Sequence, residues 1–282
     1  MSASTNTKPL LLLAPSALVV MAPFVASLVI LAAYSVDYGP NGVGPDLTIW
    51  RNFLSDGYSW SVIATSLRLA ASVTLITLLV AYPTACAILR IRNPLLSAIA
   101  YVILFSPLLM SVVVRSYGWL LLLADRGFVN SLLAASPFGL GPYRLIYNET
   151  GVVIALVHIL LPFAVLPIIG ALLQIPPIYR EAAADLGAGP AAIVWKVTFP
   201  LSLPGVIVAA EIVFALAVSA FVTPSVLGGG RVLVLSRLVY ENIGNVQWGL
   251  AAVQALILLA IAVGALLILE RFNRSTFAKR AG

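Results

Sequence analysis

Charge is scarce in this chain. Only 9% of its 282 residues are Asp, Glu, Lys or Arg, against about a quarter in soluble globular domains. That excludes a separate soluble domain of any size and leaves one polytopic membrane unit. Cys86 is the single cysteine, so neither an internal disulfide nor a multi-cysteine metal site can form within the chain. The single histidine, His158, excludes a histidine-based metal cluster. The lysines are Lys8, Lys196 and Lys279, and none follows a glycine. The phosphate-cradling loop G-x-x-x-x-G-K-[ST] is therefore missing, and ATP cannot be bound in that way. H-E-x-x-H and G-x-S-x-G are missing too. Glu211 is the only acid clearly inside an apolar run, which leaves no paired carboxylates for catalysis within the membrane. His158 sits among Val157, Ile159 and Leu160, and reads as a hydrogen-bonded packing residue before a proton carrier. These absences predict no catalytic residue, no metal and no cofactor.

Apolar residues are what the chain has: 61% are hydrophobic and the mean hydropathy is +1.07. A bilayer core takes about 20 mainly apolar residues per helix. Six stretches qualify, at about 10–36, 61–89, 96–123, 150–174, 204–227 and 247–269. The fold expected is an all-α polytopic membrane protein with six transmembrane helices in a single domain, 1–282. The first run is too long for a signal-peptide core and is read as a retained helix. Pro15, Pro23, Pro83, Pro107, Pro162, Pro167 and Pro224 fall inside spans. Each frees a backbone carbonyl, so bends or breaks are expected there.

The net charge of +6 has no basic cluster with interleaved aromatics, so nucleic acid is not the partner it implies. Its distribution records topology instead. One set of loops and termini holds Lys8, Arg90, Arg92, Arg180, Lys196, Arg271, Arg274, Lys279 and Arg280. The other holds Arg51, Arg126, Arg144, Arg231 and Arg237, mixed with Asp37, Asp46, Asp56, Asp125, Glu149 and Glu241. The positive-inside rule makes the first set cytoplasmic, with both termini inside. The outer loops carry turn residues at 38–46, 136–142 and 228–230. Tyr38, Trp50, Tyr58, Trp60, Tyr143, Tyr147 and Trp248 suit an aromatic belt at the outer membrane interface.

Residues 175–203 then form the longest cytoplasmic loop. Pro176 and Pro177 end the fourth span. "YREAAADLGA" holds strong helix formers, Gly187 and Gly189-Pro190 turn the chain, and "AAIVWKVTF" can form a second short helix. Pro200 and Pro204 punctuate the start of the fifth span.

This stretch resembles the signature of permease subunits of ABC importers: E-A-A, a glycine four residues on, nine residues, then I-x-L-P. Glu181, Ala182, Ala183 and Gly187 match, and the end reads Val197-Thr198-Phe199-Pro200, with apolar Val and Phe in place of Ile and Leu. "AYPTACAIL" at 81–89, "SPLLMSVVVRSYGWLLLLADRGFVNSLL" at 106–133, 156–188, and "FVTPSVLGGG" followed by "QWGLAAV" are similar to the spermidine/putrescine type. The resemblance implies a type I importer permease fold in a bacterial inner membrane, multi-pass, with both termini cytoplasmic. It implies a coupling helix, built on Glu181, Ala182, Ala183, Asp185, Gly187 and Pro200, that docks on a separate ATPase. The partners implied are two ATPase subunits, a second related permease forming a heterodimer, a periplasmic solute-binding protein and membrane lipid. The solute expected is a polyamine. Opines or other carboxylate-bearing solutes are the alternative on the same machinery, and an ion-coupled secondary carrier or a non-transporting membrane scaffold are rivals of other classes.

Ionisable groups inside the membrane cost about 2.5–3.5 kcal/mol and usually face protein or water. Three such groups and a neighbour are candidates for the translocation path. Arg68 lies roughly 10 Å below the outer end of its span and reads first as an outer-surface anchor. Arg115 lies roughly 13 Å deep, with Ser111 and Trp119 a turn away on either side, and reads as part of a path or gate. Glu211 lies roughly 10 Å above the inner end of the fifth span; it either helps pass a cation inward or pairs with the companion subunit.

Overall fold

The computed structural model describes residues 8–38, 45–136 and 141–278. Parts of two outer turns, 39–44 and 137–140, lie outside the described residues, as do Lys279 and Arg280. The helices are α1 (Lys8–Ser35), α2 (Thr48–Ser55), α3 (Gly57–Arg90), α4 (Pro94–Phe105), α5 (Val112–Leu123), α6 (Phe128–Ala134), α7 (Glu149–Leu173), α8 (Ile178–Asp185), α9 (Pro190–Ile193), α10 (Phe199–Ser219), α11 (Val222–Leu227), α12 (Leu235–Gly244) and α13 (Trp248–Ala278). The one strand pairing among the described residues joins Asp37–Tyr38 antiparallel to Pro45–Asp46.

Helix starts are fixed by side chains that satisfy the first free N–H groups. The Asp56 carboxylate accepts from the N–H of Tyr58 at 3.2 Å and of Ser59 at 3.1 Å, opening α3. The Ser59 hydroxyl and these backbone N–H groups hold the Asp56 carboxyl below its usual range. That contribution to the cap is present at neutral pH and is lost as the pH falls through the lowered value. Asn93 opens α4 by accepting from Leu95 N–H at 2.9 Å, and Asn148 opens α7 by accepting from Gly151 N–H at 3.0 Å.

Helices α3, α7 and α10 form the core, with α7 packed extensively on both neighbours. Lipid offers no hydrophobic drive between helices, so close backbone approach through small residues has to hold them. Ala70, Ala81, Ala85, Ala155, Ala164 and Ala209 are all fully buried. Gly205 on α10 lies against the Pro167 carbonyl and Ala171 of α7. The Tyr82 hydroxyl meets the Ser202 hydroxyl at 3.0 Å, tying α3 to α10.

Contacts between helix ends give the direction of each traverse. Arg68 pairs with Glu149, so α3 and α7 start at the same end of the bundle and run parallel. The chain between them must cross back once. Tyr82 late in α3 meets Ser202 early in α10, so α10 runs antiparallel to α3. The Tyr34 and Trp248 rings lie 6.3 Å apart, placing the end of α1 beside the start of α13. Six alternating traverses follow, with the described ends of the chain on the same side.

Two expected spans differ from what is observed. The third, 96–123, is not one helix: α4 and α5 are separated by a 3-10 turn, Ser106–Leu109, and an extended Met110, with an overall bend of 106°. Pro107 lies in the break, and Met110 has left the helical region. The fifth, 204–227, begins earlier and ends sooner. One helical rod runs from Pro190 to Ser219, 30 residues, and α11 follows after a break at Ala220. The rod passes Pro200 by way of a π-helical turn, Val194–Thr198, in which the N–H of Phe199 reaches back five residues to the Val194 carbonyl. The cytoplasmic loop expected at 175–203 is correspondingly shorter. Pro15, Pro23, Pro83, Pro162 and Pro167 all lie inside continuous helices.

Candidate functional site

The loop between α7 and α10 is built from local rules. Ile178–Asp185 coils as α8 with no buried residue. It ends in a reciprocal pair of bonds: the N–H of Gly187 to the Ala184 carbonyl at 2.8 Å, and the N–H of Ala188 to the Ala183 carbonyl at 3.0 Å. This closure needs a residue with positive φ one place past the cap, and Gly187 has φ +83°. Glu181, Ala182 and Asp185 are exposed and Ala183 is half-buried. Leu186 is 89% exposed and Trp195 69%. Leu186 stands on the same exposed helix-turn as the two carboxylates, and Trp195 stands apart from it in the π-helical turn. Glu181, Ala182, Ala183, Asp185 and Gly187 thus sit on one helix and its turn. Pro200 does not; it lies beyond the π-helical turn, in the first turn of α10.

Of the candidate path residues, Arg115 and Trp119 come together beside His158, and no contact joins Arg68 or Glu211 to them among the described residues. Arg68, with its side chain 64% exposed, pairs with Glu149 across α3 and α7. Arg115 is buried at 7% exposure, and its guanidinium donates to the Pro107 carbonyl inside the broken span. Ser111 is the residue before α5, and its carbonyl accepts from Arg115 N–H at 3.0 Å. Ser116 links α5 to α11 by a 3.1 Å contact with the Thr223 hydroxyl. Trp119 donates its indole N–H to Nδ1 of His158 at 3.2 Å, with the rings edge to face. His158 is hydrogen-bonded, as its sequence setting suggests, but its side chain stands on the exposed face of α7. Glu211 is half-buried on α10, within electrostatic reach of Glu270 on α13.

The break and the guanidinium explain each other. A carbonyl left without its helical donor in a low-dielectric setting costs about 1–3 kcal/mol. Arg115→Met removes the donor while keeping much of the volume, and is expected to destabilise the purified protein by about that amount. A melting temperature equal to wild type would show that the guanidinium does not hold the break.

Sequence reasoning missed three features. The Arg68–Glu149 partnership spans 81 residues and has no local signal. Helices α2 and α12 are short and amphipathic, with Phe53 and Leu235 buried. A cavity of about 1320 Å³ opens at the Asp56 end of α3 among α1, α2, α3, α12 and α13, lined by Tyr34, Asn52, Asp56, Asn242, Trp248 and Gln254 among others.

The family described as "Binding-protein-dependent transport system inner membrane component" matches residues 74–277. The spermidine/putrescine transport system permease protein PotB of Haemophilus influenzae is 29% identical over 214 residues, 75% of this chain and 74% of that protein. The molybdenum transport system permease protein ModB of Mycobacterium bovis is 29% identical over 211 residues, 75% of this chain and 78% of that protein. Among solved structures, a bacterial alginate ABC transporter in complex with alginate pentasaccharide-bound periplasmic protein superposes with a TM-score of 0.74 at 15% identity, covering 97% of both chains. That likeness shows the fold, which is the type I importer permease fold.

Proposed function

The chain belongs to the family of binding-protein-dependent transport system inner membrane components, and from that premise we propose that it forms the translocation path for a polyamine in an ATP-driven importer. It is a transport subunit rather than an enzyme. The observation that carries the reading of its energy supply is the exposed α8 helix-turn, closed by Gly187 and bearing Glu181. ATP hydrolysis belongs to a separate pair of ATPase subunits docked there. Their binding biases inward- against outward-facing states only through different affinity for the two. A second related permease, in a heterodimer, completes the path, and a periplasmic binding protein delivers the solute. The basic side of the bundle, with both termini, faces the cytoplasm.

The charges favour a cation over a carboxylate. Opines or similar solutes would need free arginines, yet Arg68 faces Glu149 and Arg115 is turned onto the Pro107 carbonyl. Glu211 has no hydrogen bond or ion pair among the described residues. The resemblance to a spermidine/putrescine permease points the same way. An ion-coupled carrier would leave the α8 helix-turn without a purpose.

The test is uptake into proteoliposomes holding the assembled importer. Spermidine entry should require ATP and the binding protein, and Glu211→Gln should slow it several-fold. Entry driven by a proton or sodium gradient alone would overturn the ATP-driven reading. Undiminished spermidine uptake by Glu211→Gln would remove that residue from the path.

A further inference from the structure

Two cavities meet where α3 passes the π-helical turn. The smaller, about 310 Å³, lies beneath α8 and is lined by Cys86, Arg90, Arg180, Val194 and Thr198 among others. The larger, about 720 Å³, is a groove down the membrane face of α3, lined by Leu75, Leu79, Pro83, Ala87, Trp195 and Val206 among others. Cys86, Arg90 and Val194 line both, so the two adjoin.

Their chemistries differ in a specific way. The small cavity is cationic. Arg90 and Arg180 both lie within electrostatic reach of Cys86, and neither guanidinium has an ion pair or hydrogen bond among the described residues. Thr198 faces the same space; it is 6% exposed, and its hydroxyl has no hydrogen-bond partner among the described residues. The groove is almost wholly apolar. Leu75 to Arg90 is 15 residues, or about 22 Å of helix. Half a bilayer with its headgroups is about 20–22 Å deep. Trp195 stands at the inner end, where interfacial indoles belong. A cationic pocket at headgroup depth therefore adjoins an apolar groove one leaflet long.

We propose that the two cavities form one site for an anionic phospholipid of the leaflet on the α8 side. Its phosphate lies between Arg90 and Arg180, with the Thr198 hydroxyl donating to it, and an acyl chain lies along Leu75, Leu79 and Pro83. Arg180 directly precedes Glu181, so the bound lipid braces α8 against α3. The site is separate from the solute's path and does not depend on which solute is carried.

The test is native mass spectrometry of the full-length chain in detergent, with phosphatidylglycerol, phosphatidylcholine or inorganic phosphate added. Phosphatidylglycerol should be retained over phosphatidylcholine. Arg90→Gln/Arg180→Gln should weaken its retention about 25-fold, roughly fivefold for each arginine. Arg90→Lys/Arg180→Lys should keep most of the preference, which separates lost charge from lost fold. Ala87→Phe fills the groove and should reduce phospholipid retention while leaving phosphate binding unchanged. Equal retention by wild type and the double Gln variant would overturn the site. Inorganic phosphate competing as well as the lipid, with Ala87→Phe silent, would make it an anion site without a lipid. Loss of bound lipid when the companion permease and ATPase assemble would assign the groove to a protein partner.

Discussion

Gly187→Val is expected to abolish at least nine-tenths of ATP-driven uptake, the size of a loss of roughly 1.4 kcal/mol or more in productive docking. The reason is dihedral, not steric. A Cβ at 187 meets nothing within 4 Å, but φ there is +83°, a conformation that costs a β-branched residue about 1–3 kcal/mol. Most helices in the bundle could absorb such a cost from tertiary packing. Helix α8 buries no residue, so its end closure is a large part of what holds it. With Val, the Ala188 to Ala183 and Gly187 to Ala184 bonds are lost and Glu181 no longer has a fixed direction. Gly187→Asn should keep most activity, because Asn tolerates positive φ. Uptake in proteoliposomes and co-purification of the ATPase measure the two consequences. Full uptake by the Val variant would reject the assignment of α8 as the coupling element.

Gly205→Ala should lower the melting temperature by roughly 2–5 °C, the expected result of about 1–3 kcal/mol of overpacking. A Cβ at 205 would stand 2.4 Å from the Ala171 Cβ and 2.6 Å from the Pro167 carbonyl oxygen. Both belong to α7, and neither is the far end of a flexible side chain. Helices α7 and α10 must therefore separate, loosening the alanine-lined contacts on either side. Gly205→Leu should be worse. Adding Ala171→Gly should rescue Gly205→Ala only partly, because the carbonyl contact remains. A melting temperature within a degree of wild type, read by circular dichroism, would show that the interface yields without cost.

The elements legible from sequence were those fixed by local rules. Long apolar runs read as spans, and the turn at Gly187 read as a helix end because its dihedral requirement is local. The break at Pro107 was not legible, since Pro83, Pro162 and Pro167 give the same local signal inside unbroken helices. What accompanies the break at Pro107 is a donor eight residues away on α5, Arg115, which bonds the Pro107 carbonyl that the break leaves without a helical donor. The position of Arg115 on a polar-aromatic face was readable, but its partner was not. The same limit hid Glu149 from Arg68. The start of α10 was misplaced because Pro200 and Pro204 signal interruption, whereas a π-helical turn lets the rod pass Pro200. No composition rule announces a five-residue reach.

That unbroken rod has a mechanical consequence. At 30 residues it is about 45 Å long, with α9 packed on α8 at one end and a break at Ala220 at the other. A tilt of about 10° about the α8 end would carry the far end some 8 Å, by the geometry of a rod this long. The α8 end and the Ala220 end share one lever. In the importer proposed above, closing at one membrane face and opening at the other would be phases of a single stroke, with Glu211 riding partway along the arm.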